Sequence, residues 1–203
     1  RKRYRPTALV QTLATGFQHD DELVRIARPH IVALTARVGW PVSIAIRVGR
    51  EMMLRDSTHA NSSLTFEHYY PGFTLPILDS ASGKVSMAFA DDEEREMILR
   101  FMRVSQDIDL NYLATAEVSL DVERIRADGY AVQGRNHFNL TPGKTSSIAV
   151  PIFRNGHYEA AMTMVFFVAA MKLSAALETY LDDLKATAAA ISHDLSNVPL
   201  GSA

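Results

Sequence analysis

YPGFTLPILDSASGK, Tyr70 to Lys84, says more about this chain than any other run of its length. It reads as a short strand that leads into the start of a helix. Gly72 permits a tight turn. Thr74 to Leu78 is short, apolar and bounded by proline, as a short strand is. Asp79 or Ser80 can cap a helix that begins at Ala81. Small side chains at Ala81, Ser82 and Gly83 leave the first helical turn bare, so a ligand can approach its backbone N–H groups. Those groups have no partner within the helix and sit at the positive end of its dipole. Ser80, Ala81, Ser82 and Gly83 are therefore a candidate anion site.

Working outward, the composition is that of a globular protein. The 203 residues suit one large domain, or one domain plus a linker. Apolar residues make up 47% and charged residues 22%, and the formal net charge of −2 gives no global attraction to nucleic acid or acidic lipid. The absence of cysteine rules out disulfides, thiolate nucleophiles and cysteine metal sites, and fits a reducing cytoplasm. The N-terminus is basic and then polar, which is not a secretory signal. The longest apolar run, Ala160 to Met171, is too short for a bilayer, which needs about 20 residues. The chain opens on Arg1 rather than Met, so further protein upstream is expected.

Arg1 to Arg5 is a basic arm, read either as a solvated tail or as the end of a DNA-contacting module. Leu9, Leu13 and Phe17 give a short helix over Ala8 to Phe17. Asp20 or Asp21 caps a longer helix to about Val38, with Pro29 inside it and Gly39 as its stop. Trp40 to Val48 and Glu51 to Asp56 form a hairpin around Gly49 and Arg50. Ser57 to Phe66 reads as a polar loop, with His59 and His68 solvated. A helix over Ala81 to Ala90 is followed by Asp91 to Glu94, an acidic first turn that starts another helix to about Val104. Gln106 to Ser119 reads as loop with a short helical piece. Asp121 to Asp128 is helical and stops at Gly129.

Tyr130 to Arg135 and Ser147 to Phe153 are strands, and Asn155-Gly156 turns the latter into Tyr158 to Val168. Lys172 to Asp194 is a final helix with Leu173, Leu177, Leu181 and Leu184 on one side. The apolar faces of this helix and of Ala8 to Phe17 suit either self-association or core packing. The sum is an α+β fold, an antiparallel sheet flanked by helices.

Several short motifs, in order along the chain, resemble the C-terminal effector-binding domain of the IclR family of bacterial transcription regulators. They are Tyr4-Arg5-Pro6-Thr7, the segment Leu23 to Trp40, Gly72 with Leu75-Pro76, Ala81 and Gly83-Lys84, then Ile125 to Tyr130 and Ile148 to Ile152. Gly39 to Ser43, Met53 to Arg55 and Thr58-His59 look most like the branch that regulates aromatic-acid catabolism. The resemblance implies a GAF/PAS-like effector domain over residues 19–195. The end of a DNA-binding domain and a linker helix would occupy 1–18, and a tail 196–203. It implies a homodimer or homotetramer that binds DNA through a winged helix-turn-helix upstream. It also implies a cytoplasmic protein with no enzymatic activity, no cofactor and no membrane association.

Motif alignment with the family places Ala81 and Ser82 where backbone donors meet the effector, and Gln133, Ser147, Thr163 and Val165 on pocket-lining strand positions. Leu64 and Glu67 fall in the loop that closes over it. Family members that bind small keto acids carry an acidic residue near Gln133 and Ser near Val165; this chain departs from both. That favours a larger, partly apolar effector, an aromatic acid. Such a ligand needs an anion site and an apolar slot. Trp40, Met53, Phe66, Phe73, Met162 and Met164 are candidates for the slot. Arg55 is either a bidentate clamp on the carboxylate or a surface arginine. Ser82 either touches the ligand or caps the helix.

Other signals fail. Pro142 to Thr145 ends like a phosphate-binding loop, but the glycine that motif needs is Phe138 here. The seven histidines show no metal-ligand spacing, and no Gly-x-Ser-x-Gly elbow is present. The readings that compete with a regulator are a GAF- or PAS-like sensor with another output and a small-molecule enzyme.

Overall fold

The computed structural model describes residues 22–64, 69–104, 120–135 and 143–198. The helix expected over Ala8 to Phe17, the segment Gln106 to Ser119, Phe66, Glu67 and His68 lie outside them.

Among the described residues six strands form one antiparallel sheet. In chain order they are β1 (Val42–Val48), β2 (Glu51–Ser57), β3 (Thr74–Pro76), β4 (Ala131–Gln133), β5 (Thr145–Arg154) and β6 (His157–Phe167), and across the sheet they run β3-β2-β1-β6-β5-β4. The Asn155-Gly156 turn joins the two longest strands, with both residues in the left-handed region at φ of 52° and 82°. Among the described residues five α-helices cover the sheet: α1 (Glu22–Val38), α2 (Ala81–Phe89), α3 (Asp92–Arg103), α4 (Val122–Asp128) and α5 (Leu173–Asn197).

Helices α1 and α5 lie on one face. Their buried side chains, among them Leu23, Ile31, Leu34, Leu184, Ile191 and Leu195, join Ile44, Ile148, Val150, Ile152, Met162, Met164 and Phe166 in the main core. The His30–Asp194 hydrogen bond (2.8 Å) and the Arg37–Asp183 ion pair (3.0 Å) tie the two helices together at the rim. The buried stripe of α5 is Ala176, Leu184, Thr187, Ala188, Ile191 and Leu195. The expected leucines Leu173, Leu177 and Leu181 form only its half-buried shoulder. That face of α5 is thus used in packing its own domain. Near its C-terminal end, Ser192 and Ser196 accept from the backbone N–H groups of Phe153 and Asn155 at 2.9 and 3.0 Å, closing the open end of β5.

Helices α2, α3 and α4 cover the other face through two smaller clusters. Ala45, Met52, Ile77, Leu78, Met87, Ile98 and Met102 make one; Ala81, Val85, Ala88, Ile125, Ala131, Ala149 and Ala161 make the other. The sheet side chains here are short, which lets α2 approach the strands closely.

Two local features redirect side chains. Between Ile44 and Ala45 the register slips, so that Ile44 faces Asp56 while Ala45 faces Leu54. Arg55 is the extra residue of this bulge, and Asp56 turns toward α1, where Arg28 meets it at 2.7 Å. The supposed loop after β2 holds a short 3₁₀ turn, His59–Asn61. Thr58 anchors it: its hydroxyl accepts from the Val42 N–H at 2.8 Å and lies 2.6 Å from the Thr35 hydroxyl.

Candidate functional site

Helix α2 starts where the chain leaves β3. Ser80 is its N-cap, with extended backbone (φ −126°, ψ 146°), and its hydroxyl accepts from the Gly83 N–H at 3.1 Å. The same hydroxyl donates to the Pro76 carbonyl at 3.0 Å and receives the Ser82 hydroxyl at 3.3 Å. Ser80 therefore locks the strand-to-helix corner. It also occupies the Gly83 N–H, so the expected anion donors narrow to the first two helical N–H groups, those of Ala81 and Ser82, which have no carbonyl partner within the helix. Gly83 has a different role from the one its small size suggested. A Cβ there would lie 1.7 Å from the Ile77 carbonyl oxygen, so the missing side chain makes room for the chain's own backbone.

Above this helix start lies a pocket roofed by the sheet. Ser43 and Ala45 of β1, Leu54 of β2, Leu75 of β3, Thr145 and Ser147 of β5, and Thr163 and Val165 of β6 line it, together with Tyr69 and Ser80 to Ser82. The enclosed void is about 20 Å³, room for about one water molecule. Its lining divides into two kinds of surface. Six hydroxyl residues, Ser43, Ser80, Ser82, Thr145, Ser147 and Thr163, are each buried, and Ala45, Leu54, Leu75, Ala81 and Val165 are apolar. The Thr163 hydroxyl is enclosed without a hydrogen-bond partner. A buried polar atom in that condition destabilises the empty protein by about 1–3 kcal/mol.

Of the ten site residues expected from the sequence, Ser80, Ala81, Ser82, Ser147, Thr163 and Val165 meet in this pocket; Gly83, Arg55, Leu64 and Gln133 do not line it. The bulge displaces Arg55. Leu64 is exposed and approaches Gly39. Gln133 pairs with Ser147 across β4 and β5 and keeps a buried, unpartnered Oε1. The expected apolar slot is corrected by strand phase. Trp40, Met162 and Met164 lie in the main core on the opposite face, where Trp40 meets Phe166 and Phe167 edge-on. Met53 faces Ile46, which packs on that same core. Phe73 packs on Tyr69 and Tyr70 rather than lining the pocket.

Ser43, Ala45, Leu54, Tyr69, Leu75 and Thr145 are lining residues that sequence reasoning missed. Ser43, Ala45 and Thr145 carry a signal after the fact: each is a small residue in phase with a pocket residue on its own strand or the next. His59, expected in solvent, is buried and stacks on Tyr69 with ring centroids 4.6 Å apart. Burial lowers its pKa from 6.5 to about 4, so the imidazole under Tyr69 is neutral at pH 7. Beside the helix start, burial pushes the Asp79 carboxyl up to about 6, with the positive charge of Lys84 pulling the other way. Among the described residues the pocket lining contains no carboxylate, imidazole or amine. Among the described residues no group of three or more His, Cys, Asp or Glu could hold a metal ion.

Comparison with known proteins adds identity to this geometry. The HTH-type transcriptional regulator BhcR of Paracoccus denitrificans (strain Pd 1222) is 27% identical over 139 residues, 68% of this chain and 48% of that protein. The chain thus spans about half the length of this curated relative. The crystal structure of the Thermotoga maritima IclR superposes with a TM-score of 0.74 at 23% identity, over 96% of this chain and 77% of that one. An IclR homolog of Microbacterium hydrocarbonoxydans complexed with 4-hydroxybenzoate gives 0.67 at 22% identity, over 87% and 69%. Identities this low establish a shared fold. The family model described as the bacterial transcriptional regulator IclR C-terminal domain matches residues 16–193, and the chain belongs to that family.

Proposed function

We propose that this domain senses a small aromatic acid and thereby controls DNA binding by a winged helix-turn-helix that precedes it in the full protein. The carboxylate sits on the Ala81 and Ser82 N–H groups, helped by the helix dipole. The ring lies against Ala45, Leu54, Leu75 and Val165. A second polar group, such as a phenolic hydroxyl, meets the wall of hydroxyls that includes Thr163. The observation that carries this reading is the pairing of an open helix start with a buried, unpartnered Thr163 hydroxyl in one pocket. The bound 4-hydroxybenzoate of the Microbacterium homolog supports the choice of chemistry.

An aromatic ring needs far more space than one water; a cavity that takes benzene is about 150 Å³. Binding therefore selects a more open arrangement of the lining, and the effector acts through its greater affinity for that arrangement. Tyr69 lines the pocket from the segment before β3, and its displacement breaks the stack on His59. The assembly is a cytoplasmic homodimer or homotetramer whose geometry the effector shifts, re-spacing the DNA-binding domains. Among the described residues the lining is made of hydroxyl, phenol and apolar groups, which suit holding an acid in place.

A thermal-shift series with hydroxybenzoates, their amides and small keto acids tests the reading. An effector at 100 times its dissociation constant adds about 2.7 kcal/mol, a rise of several degrees at this chain length. The rise should vanish when the carboxylate becomes an amide. A flat response across the aromatic acids sinks the proposal.

A further inference from the structure

A second concave surface opens where β5 begins and β6 ends. Thr145, which lines the inner pocket, pairs with Phe167 across these strands. One step further out, the Val168 N–H donates to the Lys144 carbonyl at 3.0 Å, and there the groove starts. Phe167, Val168, Ala169 and Ala170 give it an apolar surface, and Arg135 and Lys144 give it charge. The backbone holds this shape. The Phe167 carbonyl accepts from the Ala170 and Met171 N–H groups at 3.0 and 3.1 Å, folding the chain after β6 into a turn. The Arg135 N–H donates to the Ser146 hydroxyl at 3.1 Å. Trp40 meets Phe167 edge-on, with ring centroids 5.7 Å apart. The groove encloses about 600 Å³ against about 20 Å³ for the inner pocket. Sites for small molecules run from about 300 to 1,000 Å³.

The lining chemistry says what fits. Arg135 and Lys144 are both exposed. Among the described residues neither meets a carboxylate, and no carboxylate lines the groove. Two like charges on one concave apolar surface attract an anion. An inorganic anion would leave the apolar surface uncovered, and a neutral ring would leave both cations unmatched. We propose that this groove is a second ligand site, which takes an organic acid with a flat apolar body larger than a single ring. The carboxylate meets Lys144 and the Arg135 guanidinium, whose fork can hold it through two parallel hydrogen bonds. The rings lie against Phe167 and the two alanines. The groove is open as it stands, so this ligand needs no rearrangement of the sheet. The assignment does not depend on what the inner pocket holds.

Calorimetric titration of the 203-residue chain with 2-naphthoate, a bicyclic acid, tests this. Its amide keeps the shape without the charge, and inorganic phosphate keeps charge without the rings. Wild type should bind the acid, with the amide weaker by about tenfold or more and phosphate unable to compete. Arg135→Glu combined with Lys144→Glu should weaken the acid by about tenfold or more and melt like wild type, since both side chains are exposed. Ala81→Pro removes a donor N–H at the start of α2, at the first helical position, where proline is tolerated. It should leave naphthoate binding in the groove unchanged. Naphthoate binding that is lost in Ala81→Pro and kept in the charge-reversed variant places the acid in the inner pocket and overturns the proposal. So does an amide that binds as tightly as the acid, a comparison that needs no variant. A wild type that does not bind naphthoate at millimolar concentration overturns it as well. A flat thermal-shift response to hydroxybenzoates would sink the reading of the inner pocket and leave a positive result here standing.

Discussion

Strands β5 and β6 present two chemically different faces built from alternate residues of the same sequence. Toward α1 and α5 stand Ile148, Val150, Ile152, Met162, Met164 and Phe166, large and fully buried. Toward α2 stand Thr145, Ser147, Ala149, Ala161, Thr163 and Val165, shorter and partly hydroxylated. One face is filled to exclude everything; the other stops short and leaves a lined gap. A strand can hold both because its side chains alternate with a period of two. On the proposed function, stability and recognition reside in residues one position apart. Mutations at neighbouring positions should have unrelated consequences.

The largest effect is expected on the filled face. Phe166→Ala removes a fully buried ring that Trp40 meets edge-on, and should lower unfolding free energy by about 3–5 kcal/mol in a denaturant titration. A loss below about 1 kcal/mol would mean that this face is not the tightly packed one. Next comes Gly83→Ala. On an ordinary helix the added methyl would stabilise by about 1 kcal/mol. Here it meets the Ile77 carbonyl, so the corner must move. A destabilisation of about 3 kcal/mol is expected, at the upper end of overpacking effects. A neutral or stabilised Ala variant would refute the close crossing of Ile77 over α2.

These two positions also show what the sequence could tell. Periodicity and turn chemistry placed most strands and helices, because the strands alternate cleanly and Gly39, Gly129 and Asn155-Gly156 punctuate them. Ser80 was readable as a cap for the same local reason. Tertiary placement was not. Met162 and Met164 look like an aromatic slot because their size suits one, yet only the helices on the far side decide which phase of β6 is filled. Arg55 follows the period of β2 until a bulge breaks it. Gly83 looks like an opening for a ligand when its space belongs to Ile77. Each miss depends on a partner distant in sequence, which a local pattern does not record.

The pocket side should also respond to pH through two groups with opposite signs. Asp79 has its pKa raised from 3.8 to about 6. Above pH 6 it is ionised in both states and the fold bears the full penalty of a buried charge; below 3.8 the penalty is gone. His59 is lowered from 6.5 to about 4. Above pH 6.5 it is neutral in both states, and between 6.5 and 4 the unfolded chain takes up a proton that the native state refuses. Stability tied to His59 is therefore lost on acidification, while that tied to Asp79 is recovered. Asp79→Asn should stabilise by about 1–2 kcal/mol at pH 7 after allowance for solvent screening, and the gain should fade by pH 4. His59→Gln should flatten the decline between pH 6.5 and 4. Melting curves across that range check both, and an Asp79→Asn gain that is constant with pH would contradict burial as its cause.

The smallest change in stability is expected at Thr163, next to Met162 and Met164 in sequence but across the sheet from them. Thr163→Val keeps the shape and removes a hydroxyl that has no partner in the empty pocket. Stability should be unchanged or rise by up to about 1 kcal/mol, since an unsatisfied buried group is lost and no bond is broken. Effector affinity should move the other way. If the hydroxyl bonds the ligand, its loss lowers affinity by about 0.5–1.5 kcal/mol, roughly two- to tenfold. Calorimetric titration with 4-hydroxybenzoate against benzoate separates the two roles. A loss confined to the hydroxylated acid marks Thr163 as the partner of the phenol. An equal loss for both acids would mean that the variant disturbs the pocket's shape. A stabilised protein that binds its effector less well is the outcome that distinguishes this face from the one behind it, where stability alone is at stake.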